Sequence, residues 1–253
     1  MIKIDNISVG YGEVPVIKNT SFTVQKGQLI SIIGANGAGK STLLKAVTGI
    51  IPMLSGNIFI DDKNISDLAH KDIAKKIAYL AQGKVVPDMT VEQMVLHGRF
   101  PHLSYPRRYK DKDYKIAYSA LEQMGISNLA NKLMSSLSGG MRQNAYISMA
   151  LTQATDYIML DEPTTYLDIS NQLALMKILR NLANNGKGIV TVMHDLPLAF
   201  TFSDKIAVLR DGIITACDTP DNICNNKIIN KVFGVNLYYS KDKKSYYYKY
   251  FVN

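Results

Sequence analysis

Gly34-Ala35-Asn36-Gly37-Ala38-Gly39-Lys40-Ser41-Thr42 sets three glycines, a lysine and two hydroxyls within nine residues. That spacing suits a polyphosphate. Glycines let backbone N–H groups turn inward and approach phosphate oxygens closely. Lys40 can reach the outer phosphates, and the Ser41 hydroxyl can ligate a magnesium ion bridging them. Gln82, Asp161-Glu162 and His194 supply further chemistry. Asp161 and the Gln82 amide oxygen are ligands for a hard cation. Glu162 is the available base or water-orienting group. His194 can hydrogen-bond a terminal phosphate or the attacking water. Each alone has a plainer reading: the acidic pair can cap the next element, and a histidine at a strand end can be structural.

The elements around these residues bring them together. Residues 29–33 form an apolar run before the glycine-rich loop, and Leu43, Val47 and Ile50 follow at i, i+4 and i+7. That is strand, loop, helix, and the helix start near Lys40 adds its positive dipole end. The apolar runs 77–81, 157–160 and 189–193 end in Gln82, in Asp161-Glu162 and in His194. Apolar strands separated by helices argue for a parallel sheet covered on both faces. All strand C-termini then lie along one edge, where ligands bind.

The rest of the chain frames this core. Residues 2–9 and 22–24 read as strands, with Gly10-Tyr11-Gly12 as a break. Residues 52–56 read as a turn and 57–61 as a short strand. Residues 67–76 read as a helix. Between about 86 and 154 helices replace strands, as in an inserted lobe. Thr90 and Gln93 have capping-box spacing, residues 98–106 read as a loop, and a helix spans 111–124. Asp168 is a good N-cap for a helix over 169–184. The fold class expected is α/β: a parallel-sheet core with N-terminal antiparallel strands and an inserted helical subdomain. One domain spans 1–240, with its core at about 1–85 and 155–240. The tail, 241–253, alternates tyrosine with lysine and reads as a sheet edge guarded by lysines.

Composition narrows the class. The chain has 253 residues, a net charge of +8 and two cysteines. Cys217 and Cys224 read as reduced packing thiols. No stretch approaches the roughly 20 apolar residues of a membrane span. Residues 1–5 read as the start of a strand rather than a signal peptide. The densest basic clusters, at 107–110 and 241–249, lie on no recognisable nucleic-acid module, so the reading points away from nucleic acid.

A second glycine pair needs a ligand. Leu137-Ser138-Gly139-Gly140-Met141 opens a helix with Ser138 as cap, a second anion-binding helix start without a lysine. It meets the same nucleotide from another side, or a different one.

The ordered set of phosphate loop, Gln82, Leu137-Ser138-Gly139-Gly140, Asp161-Glu162, Leu167-Asp168 and His194 resembles the ATP-binding cassette (ABC) ATPases over nearly the whole chain. The resemblance implies a P-loop fold, ATP and Mg2+ as ligands, and a head-to-tail dimer of this chain or of related cassettes. Ser138, Gly139 and Gly140 then serve the partner's nucleotide. It further implies that Tyr11 stacks on adenine and that Asp168 belongs to a loop communicating between the two sites. The family signature usually has Gln or Glu where this chain has Met141, which bears on the tuning of dimer closure.

Residues 97–102 and 161–168 resemble those of importer ATPases for iron–siderophore, haem or cobalamin complexes. This implies a peripheral subunit at the cytoplasmic face of the membrane, driving permease subunits fed by an extracytoplasmic binding protein. The lobe from about 83 to 106 would receive the permease. A soluble cassette of iron–sulfur cluster assembly, or the ATPase of a multisubunit exporter, carries the same nucleotide motifs. The stretches 98–102 and 164–167 favour the importer.

Overall fold

The computed structural model describes residues 1–83 and 85–248. In chain order these are β1 (Ile2–Tyr11), β2 (Val14–Val24), β3 (Leu29–Ile33), α1 (Lys40–Val47), β4 (Met53–Ile60), β5 (Lys63–Asn64), α2 (His70–Lys76), β6 (Ile77–Leu80), α3 (Val91–Leu96), α4 (Asp111–Gln123), α5 (Gly139–Thr152), β7 (Tyr157–Asp161), α6 (Ile169–Asn184), β8 (Gly188–Val192), α7 (Leu196–Phe202), β9 (Lys205–Arg210), β10 (Ile213–Asp218), α8 (Pro220–Asn225), α9 (Ile228–Phe233), β11 (Leu237–Ser240) and β12 (Ser245–Tyr248). The central sheet has the order β10-β9-β3-β8-β7-β6. Its strands are parallel except β10, which runs antiparallel to β9. A second, antiparallel sheet has the order β2-β1-β4-β5.

Period-2 alternation places the core on both faces of the central sheet. Leu29 and Ile33 join one cluster, with α3, α4, α5, α6 and α7; Ile30 and Ile32 join another, with α1 and the antiparallel sheet. Strands buried on both faces read as continuous apolar runs. The lobe is helical, and Thr90 and Gln93 form the capping box at its first helix. Among the described residues no helix is long and apolar enough to cross a membrane.

Several local expectations change. β1 continues through Gly10 to Tyr11. Ile50 lies beyond α1 and is exposed. Residues 53–56 are not a turn but part of β4; Gly56 (φ 85°) faces Asn6 at a register shift, where a Cβ would lie 2.3 Å from the Asn6 carbonyl oxygen. The glycine marks a bulge rather than a chain reversal. Helix α2 starts at His70, after a 3-10 turn at Ile65–Asp67.

The stretch read as a loop at 98–106 begins as a 3-10 helix, His97–His102. Gly98 approaches α5 so closely that a Cβ would sit 2.2 Å from the Met149 carbonyl oxygen. Arg99 is buried, ion-paired to Asp113 at 2.9 Å, and donates to the Thr152 carbonyl at 3.0 Å. His102 Nε2 lies 2.8 Å from the Gln153 carbonyl oxygen. The Gln153 amide in turn donates to Ala74 O (2.5 Å) and Ile77 O (3.0 Å), at the start of β6.

The described residues of the tail are not an edge of either large sheet. β11 and β12 pair with each other, so the boundary set at 240 falls inside a hairpin. Its inner face packs Tyr246 against Phe200 of α7, and Tyr246 donates to Asp221. Residues 249–253 of the expected edge lie outside the described residues. Cys217 and Cys224 are free thiols, each half-buried.

Candidate functional site

The strand ends converge as the parallel sheet requires. A cavity of about 550 Å³ is lined by Asn36, Gly37, Gly39, Lys40, Ser41, Thr42, Gln82, Glu162 and His194, with Val16 from β2. Gly37 (φ 78°) and Gly39 (φ 101°) hold left-handed backbone within the loop. A Cβ on Gly39 would lie 2.7 Å from Ile17 Cδ1. A Cβ on Gly34 would lie 2.3 Å from the Leu209 carbonyl oxygen. Ala35 O accepts from the Ala38 N–H at 3.2 Å, and Ala38 is buried. Lys40 arches over this loop, donating to Gly34 O (2.8 Å) and Ala35 O (2.9 Å). Burial lowers the pKa of its ammonium, and the Glu162 and Asp161 charges oppose that shift.

Glu162 is gripped from three sides. His194 Nε2 lies 2.5 Å from Oε1, Gln82 Nε2 donates to Oε2 at 2.6 Å, and Thr165 Oγ1 donates to the same oxygen at 3.4 Å. Its backbone is left-handed (φ 50°), a strained conformation of the kind that clusters at functional sites. Asp161 is buried, 3% exposed. Burial raises its pKa and the Glu162 charge adds to this, while Ser41, Tyr79 and Lys40 oppose it. Asp161 Oδ2 accepts from the Tyr79 hydroxyl at 3.4 Å, and Oδ1 is buried with no hydrogen-bond partner. An orphaned carboxylate oxygen beside a serine hydroxyl and an amide fits a hard divalent cation that takes oxygen ligands and few carboxylates.

The second glycine pair lies elsewhere. Ser138 caps α5, accepting from the Met141 N–H at 3.3 Å. Gly139 lines a separate cavity of about 350 Å³ with Arg142, Gln143, Thr165 and Tyr166, which shares Gln82 and Glu162 with the first but none of residues 34–42. Gly140 packs on Leu167, where a Cβ would lie 3.4 Å from Cδ2. Met141 is exposed. Asp168 caps α6, one oxygen accepting from the Asn171 N–H (2.8 Å) and the other from its side chain (3.1 Å). Tyr11 stands 58% exposed at the end of β1, across from Val14.

Sequence reasoning missed Val16, Thr165 and Tyr79. Thr165 sits three residues after Glu162 in a polar turn, and Tyr79 is the hydroxyl-bearing residue of an otherwise apolar run; those were the available signals.

Residues 17–165 match the family described as ABC transporter. The ferric enterobactin transport ATP-binding protein FepC of Escherichia coli is 37% identical over 234 residues, 91% of this chain and 86% of that protein. The iron(3+)-hydroxamate import ATP-binding protein FhuC of Bacillus subtilis is 37% identical over 233 residues, 91% of this chain and 87% of its own. The dimeric structure of MJ0796, a bacterial ABC transporter cassette, superposes with a TM-score of 0.77 at 28% identity, covering 87% of this chain and 99% of that one. With its glycine-rich loop, acidic strand end and histidine lining one cavity, this chain belongs to the ABC transporter family as an ATP-binding, ATP-hydrolysing cassette.

Proposed function

We propose that the chain is the ATPase subunit of a bacterial importer that takes up an iron chelate, a siderophore, haem or related metal complex, through a separate membrane permease. The observation that carries this reading is 37% identity, over 91% of the chain, to ATP-binding proteins named for ferric enterobactin and iron(3+)-hydroxamate. In this reading two cassettes work as a pair on the cytoplasmic face of the membrane. An extracytoplasmic binding protein supplies the cargo, which this chain does not touch.

In this reading each site residue has a role. The N–H groups of residues 34–42 and the Lys40 ammonium hold the triphosphate. Ser41, Asp161 and the Gln82 oxygen hold Mg2+, which when bound neutralises charge on the phosphates. Glu162 accepts the proton of the attacking water, and His194 reads the terminal phosphate. Tyr11 stacks on adenine. Ser138, Gly139 and Gly140 present the start of α5 to the partner's nucleotide, a role suited to a helix start that lines a cavity containing none of its own phosphate-loop residues. Asp168 lies on the loop between the two sites. Both ATP molecules bridge the pair, so hydrolysis removes the contacts that keep it closed.

The core at 1–85 and 155–240 and the lobe at 86–154 are then the bodies that move. On the lobe, Phe100 and Tyr105 (97% exposed) are exposed aromatic side chains suited to contact with permease helices. The test is to isolate tagged Glu162→Gln chain, with ATP, from gently solubilised membranes of its native cell. A many-helix permease should accompany it. Soluble assembly factors without a membrane protein would overturn transport in favour of iron–sulfur cluster assembly.

A further inference from the structure

β6 and β7 pair in parallel with Tyr79 opposite Met159. Successive side chains alternate between faces. Ile77, Tyr79, Tyr157 and Met159 all pack in the cluster on the α1 side of the sheet. Asp161 follows Met159 by two and shares that face. A long side chain on one strand can reach the diagonal position on its neighbour, and the Tyr79 hydroxyl does so, 3.4 Å from Asp161 Oδ2. The contact is slack for an O–H···O bond. It nevertheless leaves the two oxygens unequal, for Oδ1 is buried without a partner. A phenol keeps its proton at neutral pH, and the Tyr79 hydroxyl is the donor in this contact.

A carboxylate on a short side chain can rotate about its last bond. Anchoring one oxygen fixes where the other points. We infer that Tyr79 is a positioning residue for the metal: its hydroxyl holds Asp161 Oδ2 and keeps Oδ1 available, beside Ser41, for the magnesium ion of the bound triphosphate. The inference rests on the assignment of Ser41 and Asp161 to that ion. It concerns the hydroxyl alone, since the ring packs on the core.

Tyr79→Phe separates the two roles by keeping the ring. Binding of a fluorescent ATP analogue is titrated at fixed protein while free Mg2+ rises from chelated to excess. Mn2+ binding is followed in parallel by electron paramagnetic resonance. For Tyr79→Phe, nucleotide affinity in chelator should match wild type, while the Mg2+ needed for half-maximal enhancement of binding should rise about two- to tenfold, as for loss of one hydrogen bond of ordinary net strength. Mn2+ affinity should fall in step. The thermal midpoint should not move, and Tyr79→Met, which lacks the hydroxyl but packs differently, should shift the metal dependence in the same direction. Wild-type metal dependence in Tyr79→Phe would overturn the inference. Asp161→Asn is the control: if it retained wild-type metal dependence, the assignment of the metal site itself would fall, and this inference with it.

Discussion

His194 Nε2 lies 2.5 Å from Glu162 Oε1. Gln82 takes the other oxygen, so both carboxylate oxygens are engaged by residues at the ends of two other strands. These partners fix the direction of the carboxylate, and Oε1 keeps a lone pair for water. In the proposed function the triphosphate occupies the cavity that His194 and Gln82 line, where its oxygens would compete with Glu162 for both.

Glu162→Gln should therefore bind ATP with near wild-type affinity and lose about 10²–10⁴-fold in turnover, the usual worth of a positioned base. Steady-state phosphate release and nucleotide titration check this together. Full turnover would remove Glu162 from the role of base.

Gly39→Ala places a Cβ on a residue at φ 101°, 2.7 Å from Ile17 Cδ1. The strain should cost about 1–3 kcal/mol in urea unfolding and weaken nucleotide binding. Unchanged stability would show that the loop relaxes freely.

Ser138→Ala removes the α5 cap and should cost about 1 kcal/mol. In the Glu162→Gln background it should also weaken ATP-driven dimerisation. Ser138→Asp keeps a capping oxygen but sets a carboxylate against the partner's phosphates. It should abolish the dimer in sedimentation while retaining stability. A dimer unchanged in both variants would refute the role proposed for this helix start.

Arg99 and Asp113 are 5% and 1% exposed. Asp113→Ala should leave a buried guanidinium without its charge partner and destabilise by about 3–5 kcal/mol, whereas Arg99→Met with Asp113→Leu should cost less. Burial alone would raise the Asp113 pKa, but the Lys110 N–H and the Arg99 guanidinium outweigh it and hold the carboxyl below its ordinary 3.8. The contribution is thus present above about pH 4 and disappears as pH falls through the depressed folded value. Acid unfolding of the double variant should lose that component of the wild-type slope.

What the sequence revealed was local. The run Leu29–Ile33, the phosphate loop and the helix from Lys40 sit together in the chain, and so do the Asp168 cap and the Thr90–Gln93 box. Strand ends could be matched to Gln82, Asp161 and His194 because parallel strands share one edge. Features made by distant pairing stayed hidden. Gly56 reads as a turn until Asn6 is seen opposite it. The tail's alternation announces a strand but not its partner. Tyr79 and Asp161 are 82 positions apart and meet only on a diagonal between strands. Proline and glycine at 98–106 suggested an open loop, because the ion pair that buries Arg99 comes from another helix.

That ion pair bears on cargo. Gly98, Arg99 and His102 belong to a stretch that resembles iron-chelate importers, yet each is engaged within the protein: Gly98 against α5, buried Arg99 to Asp113 and Thr152, exposed His102 to Gln153. Their contacts brace a turn of the lobe and reach nothing that a transporter carries. The likeness is then a likeness of engines rather than of freight. A cassette built this way can power permeases of differing selectivity that share one docking shape, and exchanging it between such systems should change the rate of uptake and leave the choice of compound where it was.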